Sequence, residues 1–234
     1  MMLKKPKNVS HFTTNYMLKK IGLTGLITLF LWSCGNEKVI QLPEVQHAKI
    51  SEILDVSPAY IFYNETQPDS VELNRKNLII STNWLFNVDK RLTLEQAIPK
   101  IKFLQDKKRN AKMHKNEAAK NYYTCNDTSI KNLGFIEFTN VNYIEKINPK
   151  NNSILAINSL NNITLQHQDL KLTEVNVDDL IIQLESNFSN SEENIVLTLH
   201  LNKHLKFQEY ITIKSKLQNL NFETVVIDNN EYIF

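Results

Sequence analysis

Cysteine, glycine and long apolar runs are all scarce in this sequence of 234 residues. The longest apolar run, Ile21–Trp32, has about a dozen residues, whereas a membrane-spanning helix needs roughly 20. Glycine occurs only four times, and no phosphate-binding loop, dinucleotide fingerprint or zinc-ligand spacing is present. Neither sign of charge is in large excess, because 27 basic and 25 acidic residues leave a formal charge of +2. This balance excludes a strong electrostatic argument for nucleic acid as a partner.

The residues around the short apolar run have the layout of a secretory signal. Two lysines precede the run, and a small residue ends it. Residues 31–34, Leu-Trp-Ser-Cys, resemble the lipobox of bacterial lipoproteins. The resemblance implies that residues 1–33 are removed and that Cys34 is lipidated, for example with palmitate, so that the protein is anchored to a membrane and faces the periplasm. An uncleaved membrane anchor and a buried core helix are the alternatives.

Two neighbouring residues refine this interpretation. Met17 would begin a compact signal by itself, which favours translation from Met17 over translation from Met1. Gly35 follows the lipidated position, where an aspartate is associated with retention in the inner membrane of enteric bacteria. The resemblance to lipoproteins therefore implies the outer membrane rather than the inner one.

The second cysteine has no partner for an internal disulfide if Cys34 carries lipid. Cys125 ends a strand-like run that contains two tyrosines, so we expect a buried thiol rather than a reactive one. His114 and Asp127 could be combined with Cys125 on paper as a nucleophilic site. Their spacing resembles no known local signature, and we therefore expect a protein that is not an enzyme and binds no cofactor.

Prolines and turn residues divide the chain into segments. Residues 37–69, here called the lead-in segment, contain Pro43, Pro58 and Pro68, and a short helix is predicted at Val45–Leu54 between the first two of them. The turn cluster Asn148–Asn152 is predicted to separate two α+β domains. The predicted segments are a signal at 1–33, a lipidated tether and linker at 34–69, a first α+β domain at 70–148 and a second one at 149–234.

A capping-box pattern marks the clearest helix of the first domain. Thr93 and Gln96 are spaced so that each side chain can bond a free amide of the first helical turn. Apolar residues follow at helical spacing, although Pro99 would kink the helix or move its start later. Gly134, the last glycine of the chain, is a candidate bulge or turn. The strand regions predicted around this helix are Lys76–Asp89, Asn121–Cys125 and Leu133–Ile144.

The second domain has a clearer alternation of apolar patterns. Its predicted order is β-β-α-β-α-β, an α+β fold of two layers in which the helices cover one face of a sheet. The tight turn Asn161-Asn162 joins the first two strands. The predicted strands are Ser153–Asn158, Ile163–Gln166, Ile195–Leu201 and Glu223–Ile227, with a short one at Tyr232–Phe234, and the predicted helices are Val177–Phe188 and Phe207–Leu220.

This order resembles the periplasmic domain of the ExbD/TolR family of biopolymer-transport and cell-envelope motor subunits. In that family a strand is followed by Asp-Lys and by an aromatic residue that opens the long helix. Here Asn202 and Lys203 stand at the Asp-Lys positions, and Phe207 opens the helix. The segments that carry the resemblance are Ile154–Asn158, Asn161–Leu165, Val177–Leu180, Ile195–Lys203, Phe207–Ile211 and Val225–Ile227.

The resemblance implies a partner-binding module that acts as a homodimer or with another envelope protein. Family members carry a proton-bearing aspartate in their membrane helix, whereas Ile21–Trp32 has no acidic residue. The chain is therefore not expected to be the proton-bearing subunit. Asp89 and Lys90 precede the capped helix of the first domain in the same way, which makes that domain a possible diverged second copy. The predicted partner-binding edge is Glu223, Thr224, Val225, Val226 and Ile227, by addition of a strand.

Two further pairs of residues invite a functional interpretation. His200 and His204 are four apart, but a strand end and a turn lie between them, so we expect no metal site. Asp178 and Asp179 are adjacent carboxylates at a helix start, where they would stabilise the helix dipole rather than share acid–base chemistry.

The basic run Lys100–Lys120 is predicted to be a solvated surface. An alternative function follows from it, a structural envelope lipoprotein whose basic segment rests on cell-wall or lipid polymer. That alternative predicts salt-sensitive binding which is lost when Lys107, Lys108 and Arg109 are neutralised. A further alternative is an enzyme of unrecognised type, which predicts the loss of a measurable activity when Cys125 or His114 is replaced and the fold stays intact.

Overall fold

The computed structural model describes residues 38–145, 153–168, 170–188, 194–218 and 224–234. Within them, Ile40–Phe234 belongs to one compact unit built of two mixed sheets and three helices. The predicted α+β class is thereby confirmed. The signal segment with Cys34, the predicted boundary at 148–152 and Glu223 all lie outside the described residues.

The first sheet contains six strands and takes helix α1 against its inner face. The strand path is β1-β5-β4-β2-β3, and β6 pairs with β5. Strands β2, β4 and β5 are parallel, as is β1 with β5, whereas β3 and β6 are antiparallel to their neighbours. The elements are β1 (Glu44–Val45), β2 (Val56–Tyr63), β3 (Val71–Asn74), β4 (Asn83–Val88), α1 (Leu94–Arg109), β5 (Asn121–Asp127) and β6 (Asn132–Glu137).

The second sheet also has six strands, in the order β10-β9-β8-β11-β12-β7. The four strands from β8 to β7 are parallel, and β9 and β10 continue the sheet in antiparallel fashion. The elements are β7 (Asn142–Ile144), β8 (Ser153–Ser159), β9 (Asn162–His167), β10 (Leu170–Val175), α2 (Leu180–Phe188), β11 (Ile195–Leu201), α3 (Phe207–Gln218) and β12 (Val225–Ile233).

The second half follows the predicted order with one addition and one merger. Strand β10 was not predicted, and the two predicted C-terminal strands form one strand, β12, whose register with β11 shifts between Leu197 and Leu199. Helix α2 begins only at Leu180, because Asn176 accepts bonds from the amides of Asp178 and Asp179 in the turn before it.

The lead-in segment differs from its prediction. The helix expected at Val45–Leu54 is wrong, since Glu44–Val45 is a strand that pairs with the end of β5. Strand β2 lies between β3 and β4, where the sequence indicated a linker. Pro58 suggested an interruption, but β3 pairs only with Tyr60–Tyr63, so the missing amide of the proline faces no partner strand on that side.

Helix α1 begins where the capping box predicts. The Thr93 hydroxyl accepts a bond from the Gln96 amide, and the Gln96 side chain accepts one from the Thr93 amide at 2.9 Å. Pro99 lies within the helix on its exposed side and does not move its start. The apolar stripe of α1 is buried in a core to which both sheets contribute. Its members are Leu94, Ala97, Ile98, Ile101 and Leu104.

The unit has two halves: the first consists of the first sheet and α1, and the second consists of the second sheet, α2 and α3. The two halves share an order of elements along the chain. Each contains an antiparallel hairpin, a strand parallel to the first hairpin strand, a helix and a further parallel strand, so that β3-β2-β4-β5 matches β9-β8-β11-β12. The strand before the helix is followed by an Asp or Asn and a Lys in both halves, by Asp89-Lys90 after β4 and by Asn202-Lys203 after β11. At the start of α3 the Glu209 carboxylate accepts a bond from the Lys206 amide at 2.7 Å. The Gln96 side chain accepts the equivalent bond from the Thr93 amide at the start of α1.

The matched segments Lys90–Glu95 and Lys203–Gln208, here called the clasp, bind each other reciprocally. The Leu94 amide donates to the Leu205 carbonyl at 2.9 Å, and the Phe207 amide donates to the Leu92 carbonyl at 2.7 Å. A second pair repeats the exchange, from Glu95 to Lys203 and from Gln208 to Lys90. The first amides of both helices, which have no partner inside their own helix, are thus satisfied by the opposite half.

Candidate functional site

The second sheet has an open edge beside the first half of β12. Strand β11 pairs with Val225–Ile227 and again with Glu231–Ile233 on one side of β12. On the other side β7 covers only Asn230–Tyr232. In the part of the chain that the structure describes, no strand pairs with that other side of Val225–Ile227. These three residues therefore present backbone groups that an added strand can use.

An exposed apolar pair lies next to this edge. Val226 is 55% exposed, and its register partner on β11, Val196, is 52% exposed, so the two side chains stand together on the outer face of the sheet. Val225 points the other way and is buried. Thr224 is half-buried at the start of the strand. Four of the five predicted edge residues are thus described, and they combine free backbone groups with one apolar contact point.

A buried polar network fixes the second half of β12, and sequence reasoning missed it. The Glu231 carboxylate is completely buried and accepts bonds from Lys214 Nζ at 2.5 Å and from the Tyr210 hydroxyl at 2.8 Å. The network continues from Tyr210 to the Tyr143 hydroxyl at 3.0 Å and on to Tyr123. Burial raises the pKa of all three tyrosines, which keeps them neutral donors.

This network joins four elements. Lys214 and Tyr210 belong to α3, Glu231 to β12, Tyr143 to β7 and Tyr123 to β5, so both sheets meet there. A buried charge is tolerated only when it is paired and hydrogen-bonded, as Glu231 is here. The network fixes the second half of β12 against its neighbours, whereas in the described residues Val225–Ile227 pair with β11 on one side and with no strand on the other. Such polar positions give no local signal in a sequence, because their partners are distant along the chain.

The sulfur and carboxylate candidates of the first half serve structure. Cys125 is completely buried, as predicted, and burial raises the pKa of its thiol. His114 is exposed, so the two side chains do not share an accessible site. Asp127 accepts bonds from the Ser129 hydroxyl at 2.6 Å and the Ala48 amide at 2.7 Å, which lower its pKa to about 2. It ties the lead-in segment to the end of β5.

The two candidate histidines, His200 and His204, lie in different environments. His200 is buried on β11 with its ring 5.0 Å from that of Tyr232, and its Nε2 has no hydrogen-bond partner among the described residues. Burial lowers the pKa of His200. His204 is exposed after the strand, 3.8 Å from Glu95. Across the described ranges, no cluster of three or more His, Cys, Asp or Glu side chains is arranged to hold a metal ion.

The carboxylates at the start of α2 have separate partners. Asp178 forms an ion pair with Lys216 on α3 at 2.9 Å, whereas Asp179 accepts a bond from the Asn176 side chain at 2.7 Å. They lie in the turn before the helix and do not converge on a common point. The expectation that they have no joint acid–base role remains a prediction.

The basic run contains two residues that are used inside the molecule. Lys108 is buried and its ammonium donates to the Thr82 and Lys120 carbonyls and to the Asn121 side chain, at 2.9 to 3.1 Å. Arg109 donates to the loop between β6 and β7, at the carbonyls of residues 139 and 141 and at the side chain of residue 142. Neutralising either of them would perturb the fold, so they are poor tests of surface binding.

A small cavity of about 330 Å³ lies between α1 and the end of β12. Its floor is apolar, formed by Leu94, Ile98 and Ile233, and Lys203 and Glu95 at its rim pair with each other at 3.4 Å. Its volume is at the lower limit for a small-molecule site, and its polar groups already satisfy one another. We assign it no ligand.

Comparison with known proteins finds no matching family model, no significantly similar curated protein and no significantly similar solved structure. None of the helices in the described ranges is long and apolar enough to cross a membrane.

Proposed function

We propose that the chain is a lipid-anchored, non-enzymatic protein of the bacterial cell envelope that binds a partner through the open edge of β12. Cys34 carries the lipid, and the folded unit faces the periplasm from the outer membrane. The partner adds an extended strand along Val225–Ile227. The role resembles that of the periplasmic domain of ExbD/TolR subunits, without proton transport.

The observation that carries this proposal is the half-covered strand β12. Its second half is paired on both sides and anchored by Glu231, whereas among the described residues its first half is paired only with β11. Open edges are normally protected by charge, proline or a bulge, because they promote association. Here two exposed valines, Val196 and Val226, stand beside the edge, and the register shift with β11 comes only after Ile227. An open edge with an apolar neighbour suits a surface that receives a partner strand.

The clasp favours a different protein over a second copy of this chain as the partner. A homodimer of single α+β units would need a surface that pairs with itself, and the clasp already joins two such units within one chain. We therefore propose that the first half is a diverged copy of the second. One chain then offers one edge at β12 and binds one partner strand.

The decisive experiment compares three full-length tagged proteins, purified in detergent from their native envelope. They are the wild type, Val226→Lys at the edge, and Ile182→Lys, which places the same charge at an equally exposed position on α2. A partner is expected with the wild type and with Ile182→Lys, and its loss is expected with Val226→Lys. Bound proteins are identified by mass spectrometry. Equal recovery of the partner with Val226→Lys would contradict the proposal.

A photo-crosslinking amino acid at position 226 gives a second, independent readout. The crosslink is expected to join position 226 to one extended segment of the partner, and a probe at position 182 is expected to give none. A crosslink to a second copy of this chain would replace the proposed partner by a homodimer.

A further inference from the structure

One end of the first sheet concentrates positive charge. This basic end is defined by residues 53–56, 75–83 and 103–120, which lie at the amino ends of β2 and β4 and around the end of α1. It contains eight Lys and Arg residues against three Asp and Glu residues; Lys108 is buried, and Lys115 and Lys120 form ion pairs with Glu117 and Glu137. The whole chain has a formal charge of only +2, so the remainder of the chain is net negative. The charge is therefore localised, although the overall balance conceals it.

Hydrogen bonds hold the segments of the basic end together. The Asn83 side chain donates to the Leu54 carbonyl at 2.9 Å and accepts from the Lys120 amide at 2.8 Å. The Asn116 side chain donates to the Ser81 carbonyl at 3.1 Å. Three loops that are far apart in sequence thus form one surface.

Exposed apolar side chains lie on this same surface. Of the eleven large apolar side chains that are strongly exposed in the described residues, five belong to the basic end. Leu54, Ile79 and Met113 are each more than half exposed, and Val56 and Phe103 are nearly so. The Arg75 guanidinium lies 4.7 Å from the Phe103 ring, so cation and apolar surface alternate closely. Single exposed apolar residues are ordinary, whereas a group of them among cations is not.

We infer that the basic end docks onto an anionic lipid surface. Leu54, Ile79 and Met113 enter the headgroup region, and exposed lysines meet the lipid phosphates. Peripheral proteins bind membranes with this combination of apolar tips and surrounding cations. An anionic polymer would use the charge alone and would leave the apolar side chains in water, which is why the bilayer is the better match. The inference does not depend on the partner edge of β12.

Different lysines carry this interaction from those that the sequence suggested. Lys108 and Arg109 are engaged within the fold. Lys76, Lys107 and Lys112 are exposed and are free to be changed without breaking one of the hydrogen bonds described above. These three lysines are therefore the ones that the test replaces with neutral residues.

The test uses the full chain held by its lipid in phosphatidylcholine vesicles. An environment-sensitive fluorophore is attached through Met113→Cys, and through Ile182→Cys as the control, since Cys125 is buried and does not compete for the label. Protein-free vesicles, with or without phosphatidylglycerol, are then added. The probe at 113 is expected to shift to shorter wavelength only with phosphatidylglycerol, and the probe at 182 is expected not to shift.

Two further conditions make the result decisive. High salt, and the triple variant Lys76→Gln, Lys107→Gln, Lys112→Gln, are each expected to abolish the shift at position 113. No shift with anionic vesicles would overturn the inference, as would a shift that persists in the triple variant. Binding to soluble polyphosphate while the probe at 113 stays in water would replace the lipid surface by an anionic polymer.

Discussion

The carbonyl oxygens of Leu92 and Leu205 each accept a hydrogen bond from the first helical amide of the opposite half of the molecule. Both leucines are buried, and both precede a helix by two positions. The exchange satisfies backbone groups that helix starts ordinarily leave to side chains or water. It also ties the first half to the second at the level of the main chain, so neither half has a complete helix start without the other.

The first prediction is that the two halves unfold together. Phe207 is completely buried and its ring contacts that of Tyr123 at 5.2 Å across the halves, so Phe207→Ala should lower the free energy of unfolding by about 3 kcal/mol. Hydrogen exchange should accelerate in β4 and β11 alike. The control is Phe103→Ala, which removes the same ring from an exposed position on α1. Faster exchange confined to β11 would contradict this prediction.

The second prediction concerns the close approach at Gly134. A Cβ atom at this position would lie 2.5 Å from Ala48 Cβ, so the lead-in segment must move away from β6 in Gly134→Ala. We expect a loss of about 2 kcal/mol in the free energy of unfolding, measured in urea. Adding Ala48→Gly to the same chain removes the clash and should restore most of the loss. If the double variant is as unstable as Gly134→Ala, the clash is not the cause.

The third prediction tests the buried charge pair. Glu231→Gln leaves the Lys214 ammonium without its counter-charge, and we expect it to lower the free energy of unfolding by about 3 kcal/mol. The double variant Glu231→Gln with Lys214→Met removes the stranded charge and should recover part of that loss. A double-mutant cycle in urea measures the coupling. Additive effects of the two substitutions would argue against the pairing.

The fourth prediction is a stability change in the alkaline range. Burial lowers the pKa of Lys108 from 10.5 to about 8, so between these values the unfolded chain holds a proton that the folded chain has released. The contribution of Lys108 to stability therefore rises with pH between 8 and 10.5, by about 3 kcal/mol. Lys108→Met should abolish this rise, and Lys107→Met, at the exposed neighbouring position, should keep it. Urea unfolding at the two ends of the range distinguishes the variants.

The fifth prediction is a loss of stability in weak acid through His200. Burial holds the pKa of His200 below 6.5, so the neutral form is favoured in the folded chain and acid favours unfolding. This contribution is complete above pH 6.5 and is lost as the pH falls towards the folded pKa. Tyr232 is the titratable side chain beside the ring. His200→Asn should flatten the decline, whereas His204→Asn at an exposed position should leave it unchanged, as measured by thermal unfolding against pH.

Local patterns of the sequence predicted the helices α1 and α3 and most strands of the second half, but they failed at Val45–Leu54 and at strand β2. The capping box at Thr93 and the apolar stripe behind it predict α1, because the bonds of the capping box and of the helix join residues three and four apart. Cys125 was also placed correctly in the core, because it ends the strand-like run Tyr122–Cys125 and because cysteine is among the residues most often buried. Strand β2 was missed because Pro58 suggested an interruption, although whether a proline interrupts a strand depends on the neighbours of that strand.

The partner-binding edge was predicted at Glu223–Ile227, and the openness of its described part, Val225–Ile227, follows from the position of β7. Strand β7 runs parallel to β12 and begins only opposite Asn230, so in the described residues the first half of β12 has no partner on that side. The basic run was interpreted as a uniform solvated surface, but Lys108 turned inward because three acceptors from distant segments surround it. No local pattern contains those acceptors.

The sequence by itself determined the α+β class, the start of α1, the order of the elements in the second half apart from β10, and the burial of Cys125. Each of these depends on spacing within a few residues, where the chain's own geometry decides which side chains share a face. Only the tertiary structure decided the clasp, the Glu231 network, the half-open edge of β12 and the gathering of cations and apolar tips at the basic end. These features join residues tens of positions apart, and their partners are chosen by how the two sheets pack.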